Sequence, residues 1–289
     1  MFVRIGIALV WLLHFLPLWL LAALGAGMGR MAGVLAIRRR RIVETNLRLC
    51  FPDLTQAQRR ALARAHFAVL GRSLLERGIL WWSSQARILS LIRFEGREHL
   101  DAVADQAVIV LVPHFVGMDV GWTRLSCDRR LAAIYARQKN AYFEKVLLRG
   151  RIRFSDGVHL RREDGFRPAI RAMREAMPLY YLPDMDFGDQ QVVFVPFFGH
   201  LAATITAVSR LARACNARVV PCVSRMLEGG AGYVVKLYPA WDNFPGPDFE
   251  TDARRMNAFI EERVREMPEQ YYWVHRRFKT RPPGEGKIY

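Results

Sequence analysis

The chain has 289 residues, 52% of them hydrophobic, and its 43 Lys and Arg against 27 Asp and Glu give a formal net charge of +16. Such a length suits one large domain or two ordinary ones with a substantial core, and the charge implies anionic partners: a membrane surface, a phosphorylated substrate, an acidic protein or nucleic acid. Cys50, Cys127, Cys215 and Cys222 form no Cys-x-x-Cys pair and have no histidine at zinc-ligand spacing, so they read as buried thiols in a reducing compartment.

Residues 5–28 are nearly unbroken apolar sequence, interrupted only by His14 and Pro17. As one helix they would span about 36 Å against about 30 Å of hydrocarbon, which predicts an N-terminal transmembrane helix as an anchor unit over 1–30. The run is long for a signal peptide and lacks a small-x-small site followed by a polar start. Arg38-Arg39-Arg40-Arg41 follows, and the positive-inside rule places the rest of the chain in the cytoplasm. Gly25, Gly29 and Gly33 recur at a four-residue spacing that permits close helix packing. Residues 31–106 read as a basic helical membrane-proximal region. In it Thr55 caps a helix through Gln58, and Leu62, Phe67, Leu70, Leu74 and Leu75 recur at helical intervals. Leu80-Trp81-Trp82 fits an interfacial aromatic belt or core packing equally well.

From residue 107 short apolar runs alternate with helical stretches. Strands are predicted over 107–113, 131–135, 179–182, 191–195, 218–223 and 233–238, and helices over 117–126, 141–149, 166–177, 204–215 and 252–267. That alternation specifies an α/β fold, a mixed, largely parallel sheet flanked by helices, with residues 107–289 as the catalytic region and 31–289 as one compact domain. Ligands of such sheets bind outside the carboxyl ends of the strands.

His114-Phe115-Val116-Gly117-Met118-Asp119 stands at such an end. On one straight helix His114 and Asp119 would point roughly 140° apart. A strand ending at Pro113 and turning through Gly117 into a helix removes that restriction. Asp119 can then hold the imidazole as an oriented general base, the plain alternative being a solvated loop histidine. No Gly-x-Ser-x-Gly elbow, P-loop, dinucleotide fingerprint or His-Glu-x-x-His helix competes for the chemistry. Three further strand ends carry charge: Arg137 with Asn140, then Arg161 and Arg162, then Asp184 and Asp186, a ring suited to a phosphorylated acceptor. Phe197-Phe198-Gly199 forms either the wall of an acyl groove or a core plug, and Thr204 and Thr206 read as helix-start residues.

Taken in order, several blocks resemble the bacterial lipid A biosynthesis (late) acyltransferases, relatives of the glycerolipid acyltransferases. They are His114-x4-Asp119, Tyr135-x-Arg137, Asp184-x-Asp186-x-Gly188, Val195-Pro196-Phe197-Phe198-Gly199, Thr204-x-Thr206 and the long block from Pro268 to Pro282. The resemblance implies a glycerolipid-acyltransferase-like fold and transfer of a fatty acyl chain from acyl carrier protein to a hydroxyl of a Kdo-lipid A precursor. It also implies work at an anionic inner membrane, without cofactor, metal or nucleic acid. By the same resemblance His114 takes the hydroxyl proton and Asp119 fixes its tautomer. Arg137, Asn140, Arg161, Arg162 and Asp184 hold the acceptor, and Phe197, Phe198 and Gly199 line the acyl pocket. One departure is the aspartate at 119, where lipid A enzymes often carry glutamate; it leaves open an ornithine lipid or a lysophospholipid as acceptor. A non-catalytic anchored protein binding anionic ligands is a third reading, disfavoured because the charge is scattered instead of forming one stripe.

Overall fold

The computed structural model describes residues 1–188 and 190–289. The apolar run expected as one helix is two, α1 (Phe2–Leu13) and α2 (Leu18–Leu35). Pro17 lacks the N–H that would continue α1, and with ψ at 146° it serves as the N-cap of α2. Carbonyls opened by this break are not left bare: the Arg87 guanidinium donates to His14 O at 2.6 Å and to Leu16 O at 2.7 Å. Of the described helices only α2 is long and apolar enough to cross a bilayer.

Next come α3 (Ile37–Cys50), which carries the arginine run, and α4 (Gln56–Trp82). The start of α4 is the capping box expected at Thr55, whose hydroxyl accepts from Gln58 N while Gln58 Oε1 accepts from Thr55 N at 2.8 Å. The glycine spacing in α2 is used against this helix. Gly25 meets Arg72, Gly29 meets Phe67 and Gly71, and Gly33 meets the Phe67 ring, so the two helices run antiparallel at close range. A Cβ on Gly25 would lie 2.7 Å from Arg72 Cα, and one on Gly29 or Gly71 would overlap the opposing backbone. Trp81 near the end of α4 is buried beside Gly150, which decides for core packing.

α5 (Gln85–Leu91) leads into β1 (Ile92–Glu95) and α6 (Arg97–Asp101). β1 corrects the wholly helical reading of residues 31–106, since it pairs in parallel with residues 233–236 as the edge strand of the main sheet. The remaining elements are β2 (Val108–Leu111), α7 (Met118–Ser126), β3 (Ala132–Tyr135), α8 (Ala141–Arg151), β4 (Val158–Arg161), α9 (Arg167–Arg174), β5 (Leu179–Tyr181), β6 (Val192–Phe197), β7 (His200–Ile205), α10 (Ala207–Cys215), β8 (Arg218–Met226), β9 (Tyr233–Leu237) and α11 (Phe249–Glu266). Seven strands form one sheet in the order β1-β9-β8-β2-β5-β3-β4, parallel at every junction except β8–β9. This is the mixed, largely parallel α/β sheet that the alternation predicts.

β2 lies at its centre, and strand alternation divides its side chains between two cores. Val108 and Val110 pack with Trp122 and Leu125 on one face, while Ile109 and Leu111 pack with Met173 and Met256 on the other. Residues 200–205 are a strand, so the helix expected from Thr204 starts later, with Thr206 as its N-cap. β6 and β7 pair antiparallel about a two-residue turn, Phe198 (φ 49°) and Gly199 (φ 78°), and α10 begins only at Ala207. Two successive positive φ values make the tight hairpin turn, and Phe-Gly is an uncommon sequence for it, which hides β7 from pattern reading.

The glycine contact between α2 and α4 yields a paired test. Gly71→Leu forces the helices apart and costs about 3 kcal/mol, whereas Gly27→Ala is neutral or slightly stabilising, because nothing lies within 4 Å of its added methyl. Thermal unfolding of the two detergent-solubilised variants checks it, and equal midpoints would show that the helices are not in contact.

Candidate active site

Two adjacent parallel strands, β2 and β5, deliver the central pair from their carboxyl ends. His114 follows β2 by way of Val112 and Pro113, and Val112 N donates to Tyr181 O across to β5 at 2.9 Å. Asp184 follows β5 and is almost completely buried. Its carboxylate receives His114 Nδ1–H at 2.6 Å and the His114 backbone N–H at 3.0 and 3.1 Å. Burial acts to raise the Asp184 carboxyl; the His114 charge, these hydrogen bonds and Arg277 outweigh it and hold the carboxyl below its ordinary value. With Nδ1 engaged, Nε2 of His114 has no protein partner among the described residues.

Asp119, expected to hold the imidazole, does not. No His114–Asp119 contact lies within 4.0 Å, and the Asp119 carboxylate is clamped by Arg151 Nη2 at 2.7 Å and Arg77 Nη2 at 3.1 Å. Asp119 sits in the first turn of α7, beside the end of α8 and the side of α4, each of which presents a guanidinium. A buried carboxylate is tolerable only when paired, and here two arginines satisfy it. Burial pushes the Asp119 carboxyl up, but Arg151 and Arg77 bring it down to about 2. His159 on β4, beside Arg151, is lowered to about 4 by burial and that arginine.

His114, Asp119 and Arg151 share one cavity of about 560 Å³. Its apolar wall comes from Ile134, Leu147, Phe166, Tyr181, Leu182, Met185 and Phe187, and its polar rim includes Tyr135, Gln138 and Arg162. The Arg162 guanidinium stacks 4.2 Å above the Phe187 ring, so cation and apolar surface meet at that rim.

Of the expected acceptor-binding residues, Arg162 and Asp184 belong to this site. Arg137 is exposed and faces Glu144 at 3.6 Å; Arg161 is exposed at the end of β4. Asn140 caps α8 by accepting from Phe143 N at 2.9 Å. None of these three lines the cavity. The expected acyl-pocket residues also lie elsewhere. Phe197 is fully buried among Tyr271, Phe278 and Arg277, Phe198 sits in the hairpin turn against Phe51, and Gly199 completes the turn. The hairpin directs Phe197 into the core, and residues of β3, β5 and α8 with neighbouring loops supply the apolar wall.

The block from Pro268 onward wraps the site from behind. Tyr272 N donates to His114 O at 2.9 Å, and Val116 N donates to Gln270 O at 2.8 Å. Asp186 accepts from Thr280 Oγ1 and N at 2.8 and 2.6 Å, while its own N–H donates to His275 Nε2 at 2.8 Å. Burial, then Arg277 and His114, lower His275 to about 4, in keeping with a neutral ring that accepts at Nε2. Arg277 is buried and donates to Ala203 O at 2.8 Å and Thr204 Oγ1 at 3.2 Å, so it ties the fold instead of facing an anion. Arg77 and Arg151 escape sequence reading, since nothing local marks them among 43 basic residues. Among the described residues, no cluster of three or more His, Cys, Asp or Glu could hold a metal ion.

The family model for bacterial lipid A biosynthesis acyltransferases matches residues 1–280. Over 283 residues the chain is 35% identical to the lipid A biosynthesis lauroyltransferase of Escherichia coli K12, covering 97% of this chain and 92% of that protein. It is 34% identical over 267 residues to the myristoyltransferase of the same organism (91% and 82% covered) and 31% identical over 287 residues to its palmitoleoyltransferase (98% and 93%). Among solved structures it is similar to the 1-acyl-sn-glycerophosphate acyltransferase of Thermotoga maritima, with a TM-score of 0.39, 14% identity, and 80% and 97% of the two chains covered.

The clamp on Asp119 predicts an acid-sensitive contribution to stability. Its carboxyl lies below the usual 3.8 when folded, so the contribution is complete above about pH 4 and is lost as pH falls towards about 2. Asp119→Asn removes it and leaves two guanidiniums face to face, costing about 3 kcal/mol at neutral pH. Unfolding midpoints of both proteins across that range should converge on acidification; a constant gap would show that the arginines do not hold the carboxylate.

Proposed function

The chain belongs to the bacterial lipid A biosynthesis acyltransferase family and is an acyltransferase, and from that premise we propose that it moves a fatty acyl chain from an acyl-carrier-protein thioester to a hydroxyl of a Kdo-lipid A precursor. The observation that carries this reading is His114, tied by Nδ1 to the buried Asp184, on the wall of a cavity that is apolar on one side and cationic at its rim.

In this reading Nε2 of His114 accepts the proton of the acceptor hydroxyl as its oxygen attacks the thioester carbonyl. Asp184 fixes the tautomer that leaves Nε2 free and offsets the imidazolium charge that develops. The tetrahedral oxyanion collapses, the C–S bond breaks, and the thiolate leaving group takes the proton back from the imidazolium. The ester product and a free thiol remain, with His114 neutral again. Arg151, pinned by Asp119, and Arg162 provide the cationic side for acceptor phosphates. The apolar wall from Ile134 to Phe187 receives the acyl chain. Membrane attachment rests on α1, α2 and the turn between them, whose exposed Phe2, Leu9, Leu12, Phe15, Trp19 and Leu24 form an apolar seat, with the catalytic body on the cytoplasmic side of the inner membrane.

His114→Ala is expected to lower the turnover of acyl-carrier-protein thioester by about a thousandfold, and Asp184→Asn by about a hundredfold, in folded protein. Near-normal turnover in either would remove that residue from its role. Mass spectrometry of lipids from a deletion strain tests the acceptor. Lipid A lacking one secondary acyl chain supports the reading, and unchanged lipid A with altered ornithine lipid or phospholipid overturns it.

A further inference from the structure

A second concave site lies apart from the His114 cavity and shares no lining residue with it. Arg38, Arg41 and Arg48 stand on one face of α3 at intervals of three and seven, and Arg59 and Arg60 face them from the first turn of α4. Together they line a groove of about 490 Å³. Arg59 is spent on the backbone, donating to the carbonyls of Phe51, Pro52 and Leu54. Arg38, Arg41, Arg48 and Arg60 have no carboxylate within 4.0 Å among the described residues. The one acidic residue in the groove, Glu44, lies 3.9 Å from Arg40 instead. Four guanidiniums without a directly paired carboxylate, against the single carboxylate of Glu44 in the same concavity, repel one another, and a multiply oxygenated anion relieves that repulsion with bidentate hydrogen bonds.

What surrounds the groove selects the anion. A second hollow, lined by Leu35, Ile37, Arg39 and Arg276, joins it through Arg38 and Ile42. There the last turns of α2 and the start of α3 expose Met31 (61%), Val34 (66%), Leu35 (73%) and Ile37 (51%). Contiguous apolar surface running into a cationic cup matches an amphiphile, whose phosphate seats among the arginines while its acyl chains lie along α2. An acidic protein would satisfy the guanidiniums but leave the apolar strip in water. We propose that this groove is a headgroup site for an anionic phospholipid, separate from the catalytic cavity and independent of the acyl-transfer reading.

The test is flotation of the purified full-length chain with vesicles of phosphatidylcholine alone or mixed with phosphatidylglycerol. A groove variant, Arg38→Gln with Arg41→Gln, Arg48→Gln and Arg60→Gln, is compared with a charge-matched control, in which the exposed Arg167, Arg171, Arg174 and Arg225 become Gln. The groove variant should need at least about tenfold more phosphatidylglycerol-containing lipid than the control for half-maximal binding. Both should retain wild-type binding to phosphatidylcholine, and replacing the four groove arginines by Lys should restore most of the loss. Equal losses in the two variants would mean diffuse charge only and would overturn the proposal. So would unchanged flotation with slower transfer from acyl carrier protein in detergent micelles, which would mark the groove as a protein-docking surface. Thermal unfolding verifies that the variants fold, and should the fourfold change fail, Arg41→Gln with Arg48→Gln gives the same comparison against Arg167→Gln with Arg171→Gln.

Discussion

Asp184 has almost no contact with solvent, and a carboxylate in that position stays ionised only if its charge is met at close range. His114 meets it with one ring and two backbone contacts, all between 2.6 and 3.1 Å. The same three contacts dictate where the loop after β2 goes, because a histidine that donates from both its ring and its amide cannot swing away as a side chain alone. The rest of the site is arranged around that fixed point. The strap at residues 270–272 holds the His114 carbonyl and Val116 N–H, and Gln270 reaches on to Met226 at the end of β8 with both a donor and an acceptor bond. Asp186, two residues beyond Asp184, is tied to the same terminal segment through His275 and Thr280. A shift of the strap therefore moves His114 and Asp184 together, which preserves their mutual geometry.

Two carboxylates, Asp119 and Asp184, lie close to His114 along the chain or in space, and their surroundings assign them different work. Asp119 is paired so strongly to Arg151 and Arg77 that it falls to about 2, and its charge is already consumed. Asp184 has no guanidinium within 4.0 Å among the described residues; Arg277 acts on it only at longer range. A carboxylate already neutralised by two cations has little left to stabilise an imidazolium. Asp184, whose nearest cationic partner is the imidazole itself, gives that ring its full field.

The sheet was legible because strand and helix periods are local properties. Six strands after residue 107 announce themselves as short apolar runs, and the observed limits differ from the expected ones by three residues at most. β1, β4 and β7 were not among those runs, for different reasons. β1 and β4 are four residues long at the two edges of the sheet, and β7 depends on a Phe198-Gly199 turn that carries no strong sequence signal. Within the site, His114 and Asp184 each stand out as polar residues at strand ends. Their pairing spans 70 positions and follows only from strand order, which places β5 beside β2. Sequence proximity favoured Asp119 instead, and the arginines that claim it come from α4 and α8, elements whose packing no local pattern reveals. The aromatic pair at 197 and 198 was misplaced for the same reason: its burial is plain from composition, but the side of the hairpin it fills is a tertiary fact.

One helix converts these separate contacts into a single mechanical unit. Along α4, Gly71 receives the backbone of α2, Arg72 and Glu76 form a buried pair at 2.8 Å, and Tyr233 of β9 donates to Glu76 at 2.8 Å. One residue further, Arg77 reaches Asp119 at the cavity, and a turn and a half before Arg72, His66 Nδ1 contacts Glu269 O at 3.0 Å, at the start of the strap. The apolar α2 is thus bolted along its glycine face to the helix that also braces the sheet, the cavity wall and the strap. Flexible tethering would let the catalytic body sample many heights above a bilayer. Close backbone packing instead fixes the depth of the cavity relative to the apolar surface of α1 and α2. In the proposed reaction, a lipid hydroxyl that reaches the cavity from that surface would meet Nε2 of His114 at a set position, with the orientation for attack supplied by the packing before substrate arrives.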